Sequence, residues 1–308
     1  MLTRRMVLAA IGVAALPTRL LASTVDTVLP LWPATPPGGG GPTGPISENA
    51  KGAISNIAVP TMQVFQSAKP NGAAVLVAAG GGYKRIEAGK EALPAANWLT
   101  DRGFTTFVLT YRLPGEGWSE GPLAPLQDAQ RALRLIRQNA KRFQIDPERI
   151  GVLGFSAGGH LLGLASTRSA FSSYNAVDLI DSLSARPAFS ALIYPIITLE
   201  PPYDHTSTRR ILVGKHPSPA ESAQWSVQTH VRSQCPPMFL VQAKDDPISD
   251  PANTRIMADA CKKAGIPVEL HQLASGGHGF GMGRKGTPTG TWPDYFSAWL
   301  ATAAAPRG

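Results

Sequence analysis

Ile150-Gly-Val-Leu-Gly-Phe-Ser-Ala-Gly-Gly-His160 is the stretch from which the rest of the chain is read. An apolar, β-like run ends at Phe155, and a helix-competent run, Ala157 to Ser166, begins at once. Ser156 falls on the junction, inside Gly154-x-Ser156-x-Gly158. The bare pattern is weak in a chain with 31 Gly, but the strand-to-helix setting gives it a mechanism. So abrupt a turn forces strained backbone on the serine, and a β-carbon at 154 or 158 would collide with it. The expected result is an exposed hydroxyl at the positive end of a helix.

Outward from this turn, short apolar runs alternate with helical patterns. The sequence predicts strands at Thr61–Gln66, Ala73–Ala79, Thr105–Tyr111, Ile150–Phe155, Ser190–Ile196, Met238–Ala243 and Val268–Leu273. The middle ones are continuously apolar, as strands covered on both faces must be. Leu126, Ala129, Leu133, Ile136, Ala140 and Phe143 recur at steps of three and four, one face of a helix. Trp292, Tyr295, Phe296, Trp299 and Leu300 repeat that spacing near the C-terminus. Both stripes read as core packing. The alternation predicts an α/β fold with a mostly parallel sheet and right-handed crossovers. On such a sheet, chemistry belongs beyond the carboxyl ends of the strands.

Composition agrees with one large core: 308 residues, 43% hydrophobic and 16% charged, which excludes disorder along the whole length. Two cysteines exclude a disulfide scaffold. The net charge of +8 is scattered rather than massed among aromatics, so no nucleic-acid partner is expected. Residues 1–23 read as an export signal: Thr3-Arg-Arg-Met-Val-Leu8 resembles the twin-arginine type, and the apolar run Val7–Leu16 is too short to span a bilayer. No stable membrane span is expected after cleavage, and the predicted location is periplasmic or extracellular. In that compartment Cys235 and Cys261 form either a disulfide or two buried thiols. Residues 24–56, rich in Pro and Gly, read as an extended surface arm, and residues 57–308 as the catalytic domain.

A serine hydroxyl needs a base. Of six histidines, His278 alone lies in a glycine-rich loop directly after a strand, which brings it to the same sheet edge as Ser156. His160 reads as a hydrogen-bonded helix residue and His271 as part of a strand. The third member comes from Asp245 or Asp246 after the strand Met238–Ala243, and spacing alone leaves the two open, the other being a solvated bystander. Oxyanion donors are expected from the Ala157 N–H and from Gly81 and Gly82, which follow an early strand. A phosphate-cradling role for those glycines is disfavoured, because no Gly-Lys-Ser/Thr follows. No His, Asp and Cys set has ligand spacing, so neither metal nor cofactor is expected.

Trp32-Pro33, Ala79-Gly-Gly-Gly-Tyr83, Thr110-Tyr-Arg-Leu-Pro114, Gly154-Phe-Ser-Ala-Gly-Gly-His160, Pro236-Pro-Met-Phe-Leu240, Asp245-Asp-Pro247 and Gly277-His-Gly-Phe280 together resemble secreted bacterial α/β-hydrolases of the acetylxylan-esterase-like, BD-FAE-like branch. The resemblance implies an α/β-hydrolase fold with a small cap-like insertion before the penultimate strand. It also implies Ser156 as nucleophile, His278 as base and Asp246, the acid before the proline, as third member. The chain departs from the family pattern at Ala79, where relatives often carry His or Pro, and at Ser249, where a hydrophobic residue is usual. The expected activity is removal of acetyl or other short acyl groups from plant polysaccharides or oligosaccharides. Residues 197–234 are expected to wall the pocket, with Tyr83, Trp118 and Trp225 as sugar-stacking candidates that also read as ordinary packing. A serine peptidase, an acyltransferase and an inert hydrolase-fold binder remain the alternatives.

Overall fold

The computed structural model of the protein describes residues 25–306; the export signal expected at residues 1–23 lies outside them. In chain order the elements are β1 (Val25–Pro30), β2 (Ser47–Glu48), β3 (Ile54–Ser55), β4 (Thr61–Phe65), β5 (Ala74–Ala78), α1 (Leu93–Thr100), β6 (Thr105–Thr110), α2 (Ala124–Gln138), β7 (Ile150–Phe155) and α3 (Ser156–Thr167). They continue with β8 (Ser190–Ile193), α4 (Ser207–Val213), α5 (Pro219–Trp225), β9 (Met238–Ala243), α6 (Ala252–Lys263), β10 (Val268–Leu273) and α7 (Trp292–Ala303). Eight strands make the main sheet in the order β1-β4-β6-β5-β7-β8-β9-β10. β1, β4 and β6 pair antiparallel, and from β6 onward every neighbour is parallel.

Strand order places the site. From β5 the chain crosses to β6 on one side and returns to β7 on the other. The carboxyl ends of β5 and β7 therefore flank the crevice where a doubly wound sheet binds ligands. Both strands are buried along their whole length, which is why Ala74-Val-Leu-Val-Ala78 carries no polar side chain. The strands at 150–155, 238–243 and 268–273 form as the sequence predicts, and the others lose residues at their ends. At β8 the reason is local. Tyr194 takes a left-handed φ of 39°, and Pro195 has no N–H for the ladder, so the strand stops at Ile193 rather than Ile196.

Part of the expected surface arm is sheet and core. β1 pairs with β4 as an edge strand, and Leu31 and Trp32 are buried. The anchor is polar. Trp32 Nε1 donates to Asp128 Oδ1 at 2.8 Å, and Arg131 Nε donates to the Leu31 carbonyl at 2.9 Å. Asp128 also makes a fully buried ion pair with Arg112 at 2.9 Å. Burial pushes the Asp128 carboxyl above its ordinary range, against the pull of Arg112 and the Trp32 donor. Cys235 and Cys261 are two buried free thiols, the second pushed up to about 12 by burial and by the neighbouring Cys235. Among the described residues no helix is long and apolar enough to cross a membrane.

Removing one partner of a buried pair leaves the other charge stranded. Asp128→Ala is expected to cost about 3–5 kcal/mol in equilibrium urea unfolding.

Candidate active site

β7 delivers Ser156 to the crevice, and the turn is as tight as its sequence demands. Ser156 sits at φ 50°, in the left-handed region that non-glycine residues occupy at a cost. A β-carbon on Gly158 would stand 2.2 Å from the Ala78 carbonyl oxygen, and one on Gly154 would stand 2.5 Å from that of Gly158. Only glycine lets α3 start so close to the end of β5.

The loop after β10 brings His278 to this serine. Ser156 Oγ lies 2.8 Å from His278 Nε2, and His278 Nδ1 lies 2.7 Å from Asp246 Oδ2. A carboxylate only accepts hydrogen bonds, so Nδ1 carries the proton and the Nε2 lone pair faces the hydroxyl. Asp246 is itself fixed. Its Oδ1 accepts the N–H groups of Ile248 at 2.8 Å and Ser249 at 2.9 Å, and its Oδ2 also accepts Gln242 Nε2 at 2.7 Å. Ser249 is buried and donates through Oγ to the Pro195 carbonyl at 2.7 Å. The hydroxyl therefore ties the acid's turn to the loop after β8.

Asp245 is exposed, as expected of a solvated acid, but it is not idle. Its Oδ1 accepts both Gly276 N–H and Gly277 N–H at 2.8 Å. The two adjacent acids divide the work: Asp246 orients the imidazole, and Asp245 clamps the glycine loop that carries it.

Of the three glycines after β5, the first is occupied. Gly80 N–H donates to Glu91 Oε2 at 2.6 Å. The N–H groups of Gly81, Gly82 and Ala157 have no partner among the described residues, and Gly81, Gly82 and Ser156 line one cavity of about 350 Å³. Free amides beside a nucleophilic oxygen can stabilise a developing oxyanion. The other walls are Thr206, Ser207 and Thr208, then Ile196 and Ile248, and a charged rim running from Lys84 to Glu91. The first three belong to the insertion between β8 and β9, whose helix α4 sits on the glycine loop: a β-carbon on Gly82 would meet Ser207 Oγ at 2.2 Å.

None of the three candidate aromatics lines this cavity. Tyr83 is buried, and its hydroxyl lies 3.0 Å from His160 Nδ1. His160 Nε2 donates to the Trp225 carbonyl at 2.8 Å, so the Tyr83 hydroxyl donates to Nδ1 and the imidazole is neutral. Burial holds His160 down to about 4. Trp118 stacks near the Arg112 guanidinium at 5.1 Å and faces a separate cavity with Trp32. Trp225 has Arg168 6.0 Å from its ring. Each aromatic serves packing, because the core already supplies partners for its polar tip or its face.

Sequence reasoning missed Glu91 and Tyr194. Glu91 is 3% exposed on a π-helical turn, Ala88–Ala92, and accepts the Tyr194 hydroxyl at 2.9 Å. That hydroxyl in turn accepts Gly281 N–H at 2.9 Å, and the Tyr194 ring lies edge-on to His278 at 4.9 Å. One carboxylate and one phenol thus join the glycine loop after β5 to the histidine loop after β10. Burial raises the Glu91 carboxyl above its ordinary range. Neither carried a local signal: the sequence places Tyr194 inside the predicted strand Ser190–Ile196 and Glu91 in no motif.

Sheet order, nucleophile turn and the loops that meet there make this chain an α/β-hydrolase. The BD-FAE family model matches residues 62–260, and the chain belongs to that family. It is 32% identical over 257 residues to an acetylxylan esterase of Xylanibacter ruminicola, covering 80% of this chain and 49% of that protein. It is 31% identical over 227 residues to endo-1,4-beta-xylanase B of Butyrivibrio fibrisolvens, covering 73% of this chain and 34% of the relative. The chain thus spans half or less of the length of these two proteins. The crystal structure of an acetyl ester-xyloside bifunctional hydrolase from Caldicellulosiruptor lactoaceticus superposes with a TM-score of 0.75 at 34% identity, covering 90% of this chain and 96% of that one.

Asp246→Asn is expected to lower kcat by roughly 10⁴, since an amide no longer selects the required imidazole tautomer. Asp245→Ala, which only loosens the loop, is expected to cost roughly tenfold; steady-state kinetics of the pair separates the two roles. His160 titrates near 6.5 when unfolded and about 4 when folded, so the unfolded chain binds its proton first. Its contribution is intact above pH ~6.5 and lost as pH falls towards ~4, roughly 3 kcal/mol in all. Unfolding free energies measured across that range should fall less steeply in His160→Gln.

Proposed function

We propose that the protein is an exported serine esterase that hydrolyses acetyl or other short acyl esters on plant polysaccharides or oligosaccharides. The observation that carries this is the aligned Ser156–His278–Asp246 chain at 2.8 and 2.7 Å, facing a cavity with unpaired amides on Gly81 and Gly82. His278 Nε2 takes the Ser156 proton as Oγ attacks the ester carbonyl, and Asp246 stabilises the resulting imidazolium. Gly81, Gly82 and Ala157 hold the oxyanion. The same imidazolium protonates the leaving alcohol, and an acyl-enzyme remains. Water then gives its proton to His278 and attacks the acyl carbon, so the acid leaves and Ser156 is restored.

The substrate reading draws on the relatives and on the cavity. Ile196 and Ile248 offer limited apolar surface, which suits a short acyl group. Ser207 is the half-buried hydroxyl of the insertion that lines the cavity, within reach of a sugar. Export rests on Met1–Ser23 with its paired Arg4 and Arg5. Peptidase, acyltransferase and inert-binder alternatives share the fold, and no feature of the cavity favours them.

A fluorophosphonate probe should label the wild type recovered from periplasm or medium and fail to label Ser156→Ala, whose kcat should fall by at least about 10⁴. Aryl esters of rising acyl length should show kcat/KM highest at acetate or propionate, with acetate released from acetylated xylan. Turnover confined to peptides would overturn the reading, as would an unlabelled wild type.

A further inference from the structure

The rim of the Ser156 cavity has a charge pattern that hydrolysis of a neutral ester does not require. Five ionisable side chains besides His278 line it: Lys84, Arg85, Glu87, Lys90 and Glu91. Both acids are engaged. Glu87 pairs with Arg85 at 2.5 Å, and Glu91 is buried and takes up Gly80 and Tyr194. Lys84 and Lys90 are exposed and have no carboxylate partner among the described residues. The excess is positive and open.

Lys90 is also placed. Its Nζ stands 3.1 Å from where a β-carbon would sit on Gly279, the residue after His278. The π-helical turn Ala88–Ala92 sends Glu91 down to the glycine loop and Lys90 out over the histidine loop. In the proposed reaction His278 hands its proton to the leaving alcohol, so the alcohol half of the ester lies on the His278–Gly279 side. The acyl half lies towards the serine and the oxyanion donors.

Resting on the esterase reading, we infer that Lys90, with Lys84 adding to the positive field of the cavity rim, recognises a carboxylate on the alcohol half of the substrate, which makes the preferred substrate an acylated oligosaccharide bearing a uronic-acid unit. A sugar carboxylate is an anion with fixed placement relative to the scissile ester, and an ammonium on a flexible stem suits it as a point charge. Exposed pairs of this kind are each worth roughly two- to fivefold. Both lysines together should therefore give a preference of roughly tenfold.

The test compares kcat/KM of the full chain on acetylated xylo-oligosaccharides with and without a glucuronic-acid branch, using 4-nitrophenyl acetate as neutral reference. The expected result is a roughly tenfold preference for the acidic oligosaccharide at low ionic strength, shrinking in about 0.5 M NaCl as screening shortens. In Lys84→Ala/Lys90→Ala the acidic-to-neutral ratio should fall close to one, and in Lys84→Glu/Lys90→Glu it should invert. Thermal melting shows that the variants remain folded. A wild-type ratio near one overturns the inference, and so does a ratio that survives in the double variants. A preference seen only when the carboxylate lies on the acyl half, with 4-nitrophenyl hemisuccinate, also overturns it. Failure to turn over 4-nitrophenyl acetate would instead sink the esterase reading itself.

Discussion

The backbone at Ser156 is held at φ 50° because β7 ends and α3 begins at the same residue. Such a conformation costs on the order of 1–3 kcal/mol and survives only where its surroundings over-determine it. Here β7 is paired with β5 on one side and β8 on the other, and the start of α3 lies against the Ala78 carbonyl. The serine has no freedom to relax without unzipping the middle of the sheet. Its hydroxyl is thereby presented at a fixed height above β5, and every other group in the site is arranged around that point.

Those other groups arrive on loops, which are softer than strands, and the structure stiffens them with buried polar ties. Asp245 clamps Gly276 and Gly277. Glu91 and Tyr194 link Gly80 to Gly281, and the Trp292 indole N–H closes the same loop on the Gly281 carbonyl at 3.1 Å. In a low-dielectric interior each of these would be costly if left half made, so the two loops hold their places together. The positions of the site's glycine-rich loops are thus set by side chains that tie backbone to backbone.

Most of the sheet was legible because buried parallel strands must be continuously apolar, and the turn at Ser156 because its chemistry permits few residues. His278 was legible from its loop after a strand. Choosing Asp246 over Asp245 took the resemblance to relatives, since both acids follow β9 and only the three-dimensional turn separates them. β1 has no period-2 pattern to announce it: Val25-Asp-Thr-Val-Leu-Pro30 does not alternate, Val28 is exposed, and a Pro/Gly-rich stretch follows at once. For Tyr83, Trp118 and Trp225 both a sugar-stacking and a packing reading stood open, because sequence does not reveal which face of an aromatic ring the core has already claimed; none of the three lines the Ser156 cavity. Ala88-Gly-Lys-Glu-Ala92 looks like an ordinary solvated helix start. Only the wider π turn sends adjacent Lys90 and Glu91 in opposite directions, and no local pattern announces it.

The insertion carrying α4 and α5 enters after β8 and leaves before β9, and it meets the glycine loop through Ser207 beside Gly82. Ser156, Asp246 and His278 are all held by elements outside it. Substitutions across residues 197–234 can therefore reshape the cavity wall at Thr206–Thr208 while Ser156, Asp246 and His278 keep their places. A chimera exchanging this segment between two relatives would alter one wall of the cavity and leave the glycine-rich wall, with Lys84 and Lys90, as it was.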